Sequence, residues 1–207
     1  MTSQRVPARQ VRAWYDEHTI TLYQAYSAEI TERALTAGTF VAPFKLDRMT
    51  WIKPSFLWMM YRSGWATKPG QERVLAIAIT RDGFEWALAH SCLSHHEPDT
   101  HASRAAWAEQ QRDCPVQVQW DPERSLRLGP LDHRTIQIGL SGKAARRYVS
   151  QWIVQLRDVT SLAREAGALV ARGDLATAQA MLPAERPYQL PAPLRRQIGI
   201  TRNDQQE

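Results

Sequence analysis

The spacing of apolar and polar residues changes several times along this chain, and each change predicts an element. Thr19 to Tyr23 alternate in polarity and are β-branched, aliphatic or aromatic, which predicts a strand at about 19–25. After Ser27, Ile30, Ala34 and Leu35 recur at helical spacing and Gly38 stands where a helix ends. Ser27 suits the N-cap, with Glu29 and Glu32 giving an acidic first turn. Arg73 to Thr80, RVLAIAIT, is a short apolar run that predicts a buried strand, and FEWALAH at 84–90 leans towards helix. VQVQW at 116–120 and TIQIGL at 135–140 alternate as strands, with Asp121-Pro122-Glu123-Arg124 expected to turn the chain. From Gly142 the period becomes 3.6: Tyr148, Trp152, Ile153, Leu156, Val159, Leu162 and Ala163 form one stripe. A second helix follows over 169–182, with Gly173-Asp174 as a break.

One stretch departs from these simple periods. Thr50 to Trp65, TWIKPSFLWMMYRSGW, holds three tryptophans, a tyrosine, a phenylalanine and two methionines in sixteen positions. Pro54 suits the first turn of a helix and not its interior, so the stretch reads as a short strand, a break, and a helix over 55–63. Phe56 to Tyr61 leave no polar face, which predicts burial on most sides. A helix opening on Lys53-Pro54-Ser55 presents free N–H groups beside a cation, a place suited to an anion; the plainer alternative is a core helix with snorkelling charges at its ends.

These elements predict an α+β fold with a mostly antiparallel or split sheet of about five or six strands and a helical C-terminal third from about residue 142. Residues 1–182 are expected to form one domain, with 1–11 as a loose arm and 183–207, which hold four of the twelve prolines, as an extended tail. Val41 to Met49 and 91–114 read as connections, the latter with a helical turn over 103–111. With 43% hydrophobic and 23% charged residues in 207, the chain is expected to be globular, and no apolar run reaches the roughly 20 residues of a membrane span. Its start carries no apolar secretion segment and it has two cysteines, so a cytoplasmic protein is expected. Oligomeric state is not legible. The net charge of +5 comes from 22 arginines and four lysines spread along the chain; it permits an anionic partner without demanding one.

The candidate chemistry is narrowed by what is missing. No Gly-x-Ser-x-Gly elbow, phosphate loop or dinucleotide fingerprint occurs. His90, Cys92, His95, His96 and His101 fall within twelve residues, but their spacing fits no usual zinc pattern, so no metal is expected.

RAWYDEHTITLYQAYS, FKLDRMTWIKPSFLWMMYRSGWA, FEWAL, VQWDPER and RTIQIGL resemble the bacterial and fungal domain-of-unknown-function family catalogued as number 4291, over roughly residues 9–155. That likeness identifies relatives and implies no activity. LYQAYSAEITERALTAGTF also resembles the first strand and helix of ADP-ribosyltransferase-like folds. The second resemblance implies a site for the nicotinamide ribose of NAD at Gln24, where the family carries His or Arg, with Ser27 near the small polar position. It further implies Lys53 or Ser55 on a second element and Glu123 or Gln137 on a late strand.

Residue chemistry leads independently to the same class of ligand. A nucleotide needs cations for phosphate (Lys53, Arg62, His133, Arg134), rings for stacking (Tyr23, Trp51, Trp65) and neutral partners for ribose (Gln24, Ser55, Gln137). The expected function is therefore binding of a nucleotide, NAD or a phosphorylated nucleic-acid end. Should transfer occur, Gln24 would lie near the ribose and Glu123 would steady an oxocarbenium-like centre. The rival reading is a non-catalytic RNA- or DNA-binding module built on arginines and exposed tryptophans.

Overall fold

The computed structural model describes residues 6–98 and 100–200. Its strands are β1 (Arg12–Ala13), β2 (Thr19–Tyr26), β3 (Thr50–Ile52), β4 (Arg73–Thr80), β5 (Ser91–Leu93), β6 (Val116–Arg124), β7 (Pro130–Leu140), β8 (Ile153–Asp158) and β9 (Arg186–Pro187). The helices are α1 (Ala28–Ala37), α2 (Phe56–Ser63), α3 (Arg81–Ala89), α4 (Arg104–Arg112), α5 (Gly142–Arg147), α6 (Thr160–Arg172), α7 (Leu175–Met181) and α8 (Ala192–Gln197), with a π-helical turn at Tyr148–Trp152. The strands form three sheets, ordered β2-β4-β8, β3-β7-β6-β5 and β1-β9. Every pairing is antiparallel except β5 with β6. The α+β class and the split, mostly antiparallel character are as expected, with more strands than the five or six predicted.

β4, the central strand of the sheet β2-β4-β8, is apolar on both faces because it lies between two cores. Ile20 and Leu22 of β2, with Leu75, Ile77 and Ile79 of β4, face the main core, which includes Phe84, Ile136, Ile138, Tyr148 and Trp152. Tyr23, Val74 and Ala76 face a smaller core made with Phe56, Met59 and Met60 of α2 and Ala163 of α6. Burial on both faces explains why RVLAIAIT is continuous and not alternating.

Sequence periodicity misplaces several elements. The stripe beginning at Tyr148 is not one helix: Tyr148 and Trp152 sit in the π-helical turn, and 153–158 pair with β4 as an edge strand. The β-branched Ile153-Val154 pair suits that strand, and ladder hydrogen bonds outweigh a helical spacing that arose across two unlike elements. Asp121 to Arg124 continue β6 through an irregular register, and the turn lies at 125–129, where Ser125 N–H donates to the Gly129 carbonyl at 2.8 Å. β5 lies within the stretch expected to be a polar connection.

Both ends of the described chain are packed. Val11 is buried and Arg9 pairs with Glu97 at 2.6 Å, so residues 6–11 are no loose arm; residues 1–5 lie outside the described region. Beyond 183 the chain pairs through β9 with β1, buries Tyr188 and Ile198, and sets α8 against α3. The expected extended tail is thus a packed strap as far as 200, with 201–207 outside the described region. Among the described residues no helix is long and apolar enough to cross a membrane.

The strap also closes α2. Ser55 Oγ accepts from Trp58 N–H at 3.0 Å, and Glu185 Oε1 accepts from Phe56 N–H at 2.7 Å. The free N–H groups that looked ready for an external anion therefore meet the protein's own side chains. Glu185 is half-buried as a residue, but its carboxyl is enclosed, and desolvation lifts its pKa from 4.5 to about 8. The Phe56 N–H and Arg12 oppose that shift, while the nearby Glu123 charge adds to it. The folded protein therefore keeps a proton that the unfolded chain releases, and stability present below about pH 4.5 is lost as pH rises towards 8. Glu185→Gln keeps an acceptor for Phe56 without that titration. It is expected to match wild type in thermal melts at about pH 5 and to exceed it by a few degrees at about pH 8.5.

Candidate functional site

β2 ends beside β3, and the two sheets are joined there. Tyr23 N–H donates to the Lys53 carbonyl at 2.7 Å. One residue on, Gln24 lies on the main-core face of β2 and is held from both sides. Its Nε2 lies within hydrogen-bonding distance of Tyr26 Oη (2.8 Å), Thr50 Oγ1 (2.8 Å) and the Trp51 carbonyl (3.0 Å), and its Oε1 accepts from Tyr148 Oη at 2.8 Å. Burial and the neighbouring Tyr26 raise the Tyr148 pKa, so Tyr148 remains a phenol donor.

Above this junction opens a cavity of about 730 Å³, within the range of small-molecule sites. β2, β3 and α2 contribute Gln24, Tyr26, Ser27, Thr50, Trp51, Lys53, Trp58 and Arg62; the 43–49 loop brings Phe44, Lys45, Arg48 and Met49. Gln71 comes from the turn before β4, and Gln119 with Gln137 come from β6 and β7, where they stand opposite each other in register. Asp121 accepts from both, through Gln119 Nε2 at 2.8 Å and Gln137 Nε2 at 2.7 Å. Among the described residues the carbonyl ends of these amides accept no hydrogen bond.

The charge of the wall is one-sided. Lys45, Arg48, Lys53 and Arg62 line it, and among the described residues no carboxylate does. Three of these cations are exposed, but Lys53 is only 6% exposed. Its ammonium lies 5.3 Å from the centre of the Trp58 ring and donates to the Trp51 carbonyl at 3.5 Å. Desolvation first, then repulsion from Arg62, lowers the Lys53 pKa from 10.5 to about 8, against a smaller opposing pull from Asp121. Trp58, also buried, has an indole N–H with no acceptor among the described residues. A desolvated cation on the wall favours an incoming anion.

Six of the residues singled out by sequence share this cavity: Gln24, Ser27, Trp51, Lys53, Arg62 and Gln137. The others do not line it. Tyr23 packs edge-on against Phe56 in the smaller core, and Trp65 packs against Gly167 of α6. Ser55 donates to Glu123 Oε1 at 2.9 Å, a buried pair at the start of α2. His133 and Arg134 sit towards the other end of β7, where Arg134 donates to the Trp120 carbonyl at 3.0 Å and lines a separate cleft. The sequence reading did not select Arg48, Lys45, Thr50, Trp58 or Gln119 for this site. The cross-strand parity of VQVQW and TIQIGL, which places Gln119 and Gln137 on one face, was the available signal.

The cluster from His90 to His101 is dispersed. His90 stacks on Trp86 at 3.9 Å, Cys92 is buried in β5, and His96 stacks with His101 at 5.7 Å. Among the described residues no group of three or more His, Cys, Asp or Glu side chains is arranged to hold a metal ion.

Two sheets meeting at a cationic, aromatic-walled cavity define an α+β protein with one prominent candidate ligand site. The chain belongs to the family described as a domain of unknown function, number 4291, whose model matches residues 10–188 and so extends into the strap. No curated protein matches the chain.

Gly139 makes room for one wall. A Cβ there would stand 3.0 Å from Trp51 Cζ2 and closer still to Met49 Sδ. Gly139→Ala is expected to push both side chains towards the cavity at a cost of about 1–3 kcal/mol. A lower melting temperature together with an altered near-ultraviolet tryptophan signal checks this.

Proposed function

We propose that this cavity binds a nucleotide, either NAD or a phosphorylated nucleic-acid end, with a fold of ADP-ribosyltransferase-like type as its setting. One observation carries the reading: four cations and no carboxylate line the cavity, and one cation is buried without a counter-charge. Exposed Arg48 and Arg62 suit phosphate as forks, Trp51 and Phe44 offer faces for a base, and Gln119 and Gln137 offer amide oxygens to ribose hydroxyls. Gln24 belongs to the floor; its amide is already engaged on both ends, so its part is to hold the site in shape. The proposal takes nucleotide recognition from the ADP-ribosyltransferase-like resemblance and leaves out its transfer step, because Glu123 is turned to Ser55 and does not line the wall that Gln24 floors.

Calorimetry with ADP-ribose, NAD and a 5′-phosphorylated oligonucleotide tests the reading. Arg62→Ala and Lys53→Met are each expected to weaken binding about tenfold or more, the size of a lost charge-assisted contact. A bound phosphate favours the charged amine, so affinity is expected to hold below about pH 8 and fall above it in wild type, and to stay flat in Lys53→Met. No heat from any of the three ligands at millimolar concentration overturns the proposal. A steep loss of oligonucleotide binding with salt, without binding of the mononucleotides, favours the nucleic-acid module instead.

A further inference from the structure

Phosphate recognition needs cations, but it does not need one of them to be buried. Lys45, Arg48 and Arg62 already supply exposed positive charge to the cavity. Lys53 is placed differently. It follows β3, it is 6% exposed, and no carboxylate among the described residues lies within salt-bridge distance of it. Its amine lies 5.3 Å from the centre of the Trp58 ring on the wall of a cavity large enough for a small ligand. We propose that Lys53 is a nucleophilic amine that forms an imine with a phosphate-bearing aldehyde, of the class of open-chain sugar phosphates, in the cavity read above as an anion site.

Chemistry and surroundings agree with this. An amine reacts only as its neutral form, and desolvation beside another cation is a recognised way to provide it near neutral pH. The charged groups around Lys53 are Arg62 on α2, Lys45 and Arg48 on the 43–49 loop, and Asp121 on β6, the last already accepting from two glutamines. Desolvation, joined by repulsion from Arg62, outweighs the pull of Asp121, which leaves the amine pKa at about 8 and about a tenth of the molecules neutral at pH 7. The nitrogen lone pair attacks the carbonyl carbon, the carbonyl π pair moves to oxygen, and that oxygen gains a proton as nitrogen loses one. The resulting carbinolamine loses its hydroxyl as water and leaves a C=N bond. Amine and aldehyde thus give imine and water, with no change of oxidation state.

Pyridoxal 5′-phosphate is a suitable probe, with borohydride reduction to fix the imine and peptide mass mapping to place it. The chain has only four lysines, Lys45, Lys53, Lys68 and Lys143, and the exposed Lys45 lines the same cavity as an internal control. The expected result is one reduced adduct, on Lys53, forming at least tenfold faster than on Lys45 and slowed at least tenfold by inorganic pyrophosphate. Its rate is expected to rise with pH to about 8 and then level, and Lys53→Arg, which keeps the charge, is expected to abolish it. Adducts confined to Lys45, Lys68 or Lys143, or none at all, overturn the proposal. Pyridoxine 5′-phosphate, with an alcohol in place of the aldehyde, separates the two claims. If it binds while Lys53 stays unlabelled, the anion site stands and the amine chemistry falls; if it does not bind and nothing is labelled, both fall.

Discussion

Two sheets of this protein are tied together at Tyr23, Gln24 and the strand end at Lys53. The Tyr23 N–H on the Lys53 carbonyl extends the β2 edge to the start of α2, and the Gln24 amide bonds across to Thr50 and the Trp51 carbonyl. Tyr148, arriving from the π-helical turn, holds the other end of that amide. A buried amide satisfied on both its donor and acceptor ends is a rigid tie, because breaking any one bond strands a polar atom in the core. The cavity is the space left above this tie, where the sheets diverge and the 43–49 loop covers the gap.

The same junction explains why the cations can stay. Lys53 is fixed by its backbone in the seam, so its side chain has little choice but to enter the cavity wall beside Trp58. Elsewhere two half-buried arginines are neutralised: Arg9 pairs with Glu97, and Arg73 with Asp158. At the cavity no carboxylate lines the wall, and Asp121, the one acid whose charge reaches Lys53, is spent on Gln119 and Gln137.

The acids lie elsewhere, at the start of α2. Glu123 and Glu185 crowd Ser55 and the Phe56 N–H, so that helix N-terminus is served by carboxylates from segments far apart in sequence. This arrangement occupies the helix end and leaves Lys53 as the buried cation of the cavity wall. It also couples the strap at 183–200 to the element that forms one cavity wall.

Much of the architecture was legible because it depends on local rules. Alternation marked β2, β6 and β7, the Ser27 to Gly38 frame marked α1, and Pro54-Ser55 marked the start of α2. Residue chemistry brought Gln24, Lys53, Arg62 and Gln137 forward, as the cations and amides that a nucleotide needs. What needed the tertiary structure was everything set by pairing at a distance. β8 is a strand only because β4 offers an edge, and Trp65 is a core residue only because Gly167 lets α6 approach it. Glu123 faces Ser55 because β6 runs on through Pro122. A sequence shows which side chains carry charge, but the burial and company that decide what a charge does are properties of the assembled chain.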